Sequence, residues 1–132
     1  MENTMLLLNF SHPLRREVIE AVRQAAGGQA VDLREISVQF DPEQPFASQA
    51  KTLLDSQAVG ISAREWQTED IVIVPPAHAI IALTVIAELD GRMGHLPAVI
   101  RLKPEAGSVP TRFIFAEIID LHQERERSRH SR

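Results

Sequence analysis

The sequence predicts an α/β domain with a mainly parallel central sheet flanked by helices, and three observations carry that expectation. Met5-Leu6-Leu7-Leu8 runs into Asn9-Phe10-Ser11-His12-Pro13, and Ile71-Val72-Ile73-Val74 runs into Pro75-Pro76-Ala77-His78. Both read as strand, turn and helix in succession. A long apolar helical stretch then follows the second of them. A short apolar run without alternation marks a strand buried on both faces, so the two runs are expected side by side and parallel. Ligands of open α/β sheets settle outside the carboxyl ends of the strands. That rule directs attention to Ser11, His12 and His78.

Taken in order, the first strand leads through Pro13, which suits the opening turn of a helix. Leu14, Val18, Ala21, Val22 and Ala25 recur at helical spacing until Gly27-Gly28 ends the run. Ala30 to Leu33 and the alternating Ile36-Ser37-Val38-Gln39-Phe40 predict a second strand region, nearer a sheet edge, that stops at Asp41-Pro42. Phe46 to Leu54 has helical character. Ser62-Ala63-Arg64-Glu65 fits a capping box, opening a short helix that carries Trp66. Trp66 is expected to cover core, with stacking on a base as the alternative.

After the Ile71–Val74 strand, a helix is expected from about Ala77 to Met93. Ile80, Ile81, Leu83, Val85, Ile86 and Leu89 occupy nearly every side of it, so a second subunit is expected to cover part of its surface. Gly91-Arg92-Met93-Gly94 closes the helix, Pro97 opens a strand through Leu102, and Phe113 to Leu121 supplies another. Glu117, inside that apolar run, calls for a partner such as Arg101 or Arg112, most simply as an ion pair between adjacent strands. Residues 1–122 then form one ligand-binding domain. Residues 123–132, charged with both signs, form a solvated helix end or frayed tail.

Composition narrows the function classes. A chain of 132 residues, 44% hydrophobic and 24% charged, buries a core without disulfides or structural metal. The absence of cysteine excludes thiol nucleophiles, redox pairs and thiolate metal sites. The longest apolar stretch, Ala77 to Leu89, is too short to cross a bilayer. Met1-Glu2-Asn3-Thr4 lacks the basic region of a signal peptide, so a cytoplasmic protein is expected. A net charge of -4 argues against duplex DNA as a partner, because such affinity comes from many basic contacts to phosphate. A small anion needs only a few local arginines and helix amides.

The first turn offers Asn9 as an amide that both donates and accepts, Ser11 as a hydroxyl, His12 as an imidazole, and backbone N–H groups at a helix start. These groups suit anions and bases. Neither a Gly-rich dinucleotide fingerprint nor a Gly-Lys-Ser/Thr phosphate loop is present, so no nicotinamide or nucleoside triphosphate cofactor is expected. His12, His78, His95, His122 and His130 do not fall at metal-ligand spacing, and no metal is expected. Helix capping is the alternative role for Ser11, His12 and His78, and a cation at a helix carboxyl terminus the alternative for Arg92.

Leu6 to Pro13, Gly91-Arg92-Met93-Gly94 with Pro97 and Arg101-Leu102, and Arg112-Phe113 with Ala116-Glu117-Ile118-Ile119 together resemble the Csx-fifteen family of CRISPR-associated proteins. The resemblance covers nearly the whole chain and is weaker over the segment from Gln29 to Gln44. It implies a single Rossmann-like domain, related to the CARF sensors of type III CRISPR antiviral defence, that takes a cyclic oligoadenylate messenger, with cyclic tetra-adenylate favoured. Under it the ligand-binding residues are Asn9 and Gln39 at adenine edges, Ser11 with the helix amides at phosphate, and Phe10, His12, Pro76, Ala77, His78 and Arg92 around them. A homodimer suits a two-fold ligand. Sequestration of the messenger is the favoured activity. A metal-independent ring nuclease using His12 and His78 as acid and base, with Arg92 or Arg101 stabilising charge, is the alternative, and an adaptor that binds no nucleotide is a third.

Overall fold

The computed structural model of the chain describes residues 4–132. Its elements are β1 (Thr4–Asn9), α1 (Arg16–Ala25), β2 (Ala30–Glu35), α2 (Phe46–Leu54), α3 (Ala63–Thr68), β3 (Asp70–Val74), α4 (Ala79–Met93), β4 (Ala98–Pro104), β5 (Phe113–Asp120) and α5 (Leu121–His130). The five strands form one sheet in the order β2-β1-β3-β4-β5. The three pairings among β2, β1, β3 and β4 are parallel, and β5 lies antiparallel to β4, so the sheet is mixed. Leu6 to Leu8 and Ile71 to Val74 are buried on adjacent strands, as their unbroken apolar runs predict.

The two sheet faces are covered unequally. Leu6, Leu8, Ile71, Ile73 and Val99 face α2, α3 and α4, where they pack with Leu54, Trp66, Val85 and Leu89. Met5, Leu7, Val72, Val74 and Ile100 face α1 alone, through Val18 and Val22. One helix covers that face because the far edge of the sheet closes over it, β5 packing directly against α1. This edge carries a register shift. Arg101 pairs with Glu117 but Leu102 pairs with Phe115, leaving Ala116 as an extra residue on β5. The bulge reverses the alternation of side chains, so that Phe115 joins Ile118 on the α1 face.

Two expectations are corrected here. Ile36 to Phe40 alternates but forms no strand. Its first residue makes the last ladder bond, Ile36 N–H to Asn9 C=O at 2.9 Å. Beyond it β1 has turned away, leaving no strand to pair with, and Ile36, Val38 and Phe40 pack onto the α4-side core instead. Pro13 does not open α1, which starts three residues later with Arg15 at the N-cap. The charged tail is not among them: it lies in α5, a helix with no buried residue, capped by the Asp120 carboxylate, which accepts the Gln123 N–H at 3.0 Å.

Other details match. The Ser62–Glu65 capping box makes both of its bonds, and Trp66 is 2% exposed in the core. Arg101 and Glu117 pair across β4 and β5 at 2.6 Å, both half exposed. On α4, Ile81, Val85, Leu89 and Met93 are buried while Ile80 and Leu83 remain 55% and 64% exposed. None of the helices is long and apolar enough to cross a membrane, among the described residues.

Arg92 joins the far ends of α2 and α4. Its guanidinium bonds Glu88 and Asp55, both at 2.9 Å, and lies 5.6 Å from the centre of the Trp66 ring. The Asp55 carboxyl is held below its ordinary range by its hydrogen bonds to Lys51 and then to Arg92. Arg92→Ala is expected to cost about 1–3 kcal/mol in urea unfolding, since it removes charge-assisted bonds at a mostly buried position. A carboxylate whose pKa falls on folding contributes stability above its unfolded value and loses that contribution as pH drops through the folded value. Asp55→Asn should therefore lower the urea midpoint at neutral pH, and its stability should decline less than that of the wild type below about pH 4.

Candidate functional site

The mouth of the sheet is assembled at the carboxyl ends of β1, β3 and β4. Its centre is the turn after β1, and a buried carboxamide shapes that turn. Asn9 is fully buried. Its Nδ2 donates to Glu35 Oε2 at 2.6 Å and to the His12 carbonyl at 2.8 Å, and its Oδ1 accepts the Ser11 N–H at 3.0 Å. Glu35 also accepts the Leu14 N–H, at 3.4 Å. An Asx turn of this kind replaces the missing ladder bonds as the chain leaves the sheet. The Ser11 and His12 side chains project from it, half-buried and exposed respectively.

Opposite stands the turn after β3. His78 is the N-cap of α4, where its Nδ1 accepts the Ile81 N–H at 3.3 Å. Its ring meets Phe46 edge-on, centroids 5.9 Å apart, and Phe46 in turn meets Phe40 at 5.3 Å. With Nδ1 accepting, the neutral imidazole carries its proton on Nε2, the atom that remains for a ligand. This geometry makes His78 a hydrogen-bond donor. It does not leave a lone pair for a general base.

Two clefts flank this crest. The smaller, of about 330 Å³, lies on the α4 side between Ser11-His12, Ser37-Val38 and Pro76-Ala77-His78, with Phe10 and Ile81 beneath. The larger, of about 690 Å³, lies on the α1 side between Ser11 to Arg15, Pro75 and Ala77, and the ends of β4 and β5. Ser11, His12 and Ala77 line both.

Of the sequence-predicted site residues, the fold brings Ser11, His12, Pro76, Ala77 and His78 together at the smaller cleft, with Phe10 3% exposed beneath them. Three lie elsewhere. Asn9 is behind the turn, its amide engaged within the chain, so it shapes the mouth and presents no edge to a ligand. Gln39 lines a neighbouring groove of about 470 Å³ with Phe40, Ser48 and Gln49, which shares Ser37 with the smaller cleft. Arg92 is a correction. It sits at the carboxyl end of α4, at the end of that helix remote from the mouth, held by Glu88 and Asp55.

Sequence reasoning missed the larger cleft and its residues Arg15, Thr111, Arg112 and Phe113. The loop after β4 could have been found by the rule that found the turns after β1 and β3, since it too follows a strand's carboxyl end. Among the described residues no three His, Asp or Glu side chains converge as metal ligands. Comparisons with protein-family models, with curated proteins and with solved structures find no match to this chain.

If Asn9 sets the turn, Asn9→Ala should cost about 1–3 kcal/mol in thermal or urea unfolding, because it removes three hydrogen bonds made by a buried side chain to the His12 carbonyl, the Ser11 N–H and the Glu35 carboxylate. Asn9→Asp should be at least as damaging at neutral pH, since it sets two carboxylates against each other. Adding Glu35→Gln should recover part of that loss by returning a donor to the pair, and a double-mutant cycle measures the recovery.

Proposed function

We propose that the chain binds a cyclic oligoadenylate, cyclic tetra-adenylate in the first instance, and lowers the free messenger by holding it intact. On this reading it is a Rossmann-like, CARF-related module of a type III CRISPR antiviral response. The resemblance in sequence supplies the ligand. The observation that carries the reading is the crest of Ser11, His12 and Ala77, shared by two clefts at the carboxyl ends of adjacent parallel strands. A ligand that alternates phosphates with bases suits such a surface, with donors along the crest and hollows on either side. Ser11 Oγ, the His12 imidazole, the His78 Nε2–H and the backbone N–H groups at the start of α4 supply the donors.

Sequestration is favoured over cleavage by the chemistry of the two histidines. Opening the ring without metal requires a base to activate the ribose 2′-hydroxyl in line with its phosphate. The His78 lone pair on Nδ1 is engaged by the Ile81 N–H, which leaves His12 without an imidazole partner to complete an acid–base pair. A homodimer is part of this proposal. Ile80 and Leu83 form an exposed apolar stripe on α4, and Ile80 follows His78 by two residues, so a second copy on that stripe brings its own mouth beside the first.

Isothermal titration with cyclic tetra-adenylate should give saturable binding, and the ligand should be recovered uncut after prolonged incubation in chelator. Repeated turnover to linear products would overturn sequestration in favour of the nuclease. Ser11→Ala and His12→Ala are each expected to weaken binding by about tenfold, the loss of one hydrogen bond to a charged group. Leu83→Glu should convert a dimer to a monomer by light scattering. A monomeric wild type, with and without ligand, removes the dimer from the proposal.

A further inference from the structure

The larger cleft has a composition that the smaller one lacks. Its floor is apolar: Val18, Val74 and Ile100 are 3%, 4% and 3% exposed and come from α1, β3 and β4. Its rim carries one large exposed aromatic ring and two guanidinium groups. Phe113 is 51% exposed at the start of β5, past the bulge that turns this end of the strand onto the α1 side. Its backbone is held in place, since its carbonyl accepts from Arg15 Nη2 at 3.0 Å. Arg112 bonds Glu105 through Nη2 alone, at 2.7 Å, and Arg15 also lies 3.6 Å from Glu17. These carboxylates orient the two arginines while leaving further N–H donors of Arg112 unused within the chain. Arg101 borders the same cleft, but it pairs with Glu117 and alternates away from Ile100 and Leu102.

An apolar floor with an aromatic ring at its rim and a guanidinium beside it matches a base attached to a phosphate. A simple alkyl ligand would leave the Arg112 donors unmet, and a bare phosphate would leave the floor and the Phe113 ring uncovered. Stacking on an aromatic ring suits any base, and an arginine can take the adjoining phosphate. The volume falls within the range of about 300–1,000 Å³ usual for small-ligand pockets.

We infer that this cleft is a purine nucleotide compartment, in which a base lies over Val18, Val74 and Ile100 against Phe113 while Arg112 holds its phosphate. This rests on the reading of the mouth as a cyclic oligoadenylate site and extends it. Because Ser11 and Ala77 wall both clefts, one ring astride the crest places a base on each side of the sheet. Phe113 and Arg112 then become affinity determinants although neither belongs to the turns after β1 and β3.

Two measurements test this separately from the proposed function. The first titrates cyclic tetra-adenylate into wild type, Phe113→Ala, Arg112→Gln and Ser11→Ala. The exposure of Phe113 and Arg112 makes both variants tolerable to the fold, and thermal unfolding checks this. The expected result is a loss of at least about tenfold for Phe113→Ala and for Arg112→Gln. Binding weakened by Ser11→Ala but untouched by both other changes keeps the cyclic-nucleotide reading and overturns the compartment. The second maps adenosine 5′-monophosphate on isotope-labelled wild type by amide and methyl chemical shifts. Saturable shifts at Val18, Ile100 and Thr111 to Phe113 support the compartment, even if the cyclic ligand fails to bind and the reading of the mouth falls. No shifts there at millimolar nucleotide overturn it.

Discussion

Asn9 is the sole fully polar side chain buried among the described residues, and the shape of the mouth follows from its bonds. At this residue three strands meet. Its carbonyl accepts the Ile36 N–H, the next residue's N–H reaches the Val74 carbonyl, and its side chain joins Glu35 to the turn that presents Ser11 and His12. A buried amide without partners would be costly, so the three contacts specify one path for the chain as it leaves the sheet. The crest between the two clefts is that path.

The second constraint is the unequal covering of the sheet. Three helices pack on one face and a single helix on the other, so the α1 face depends on the β4–β5 edge to close over it. The extra residue at Ala116 makes closure possible by shifting which side chains point inward. Where the closure is incomplete, beyond the start of α1, the larger cleft remains. Arg15 at the N-cap of α1 and Arg112 just before β5 border it.

Much of this was legible in the residues. Unbroken apolar runs marked β1 and β3 as neighbours buried on both faces, and the Ser62–Glu65 spacing identified a capping box that forms as expected. Glu117 in an apolar strand implied a partner, and Arg101 is opposite it. Less was legible where a residue has two physical uses. Asn9 could read a base or tie a turn, and only burial beside Glu35, 26 residues away, decides between them. Arg92 could bind an anion or close a helix, and the proximity of Asp55 and Trp66 makes it structural. Alternation in Ile36 to Phe40 predicted a strand, but a strand also needs a neighbour, which alternation cannot supply.

The sequence by itself determined the class of fold, the parallel pairing of its central strands, and the Ser11-His12 and Ala77-His78 turns at one end of the sheet, because burial period and turn chemistry are local properties. Tertiary structure alone decided which polar groups face outward from those turns. It also decided that a bulge on β5 and a lone helix on one face leave a second, larger hollow beside them. Those outcomes depend on register and on contacts between distant segments, where one extra residue reverses the face of every side chain that follows.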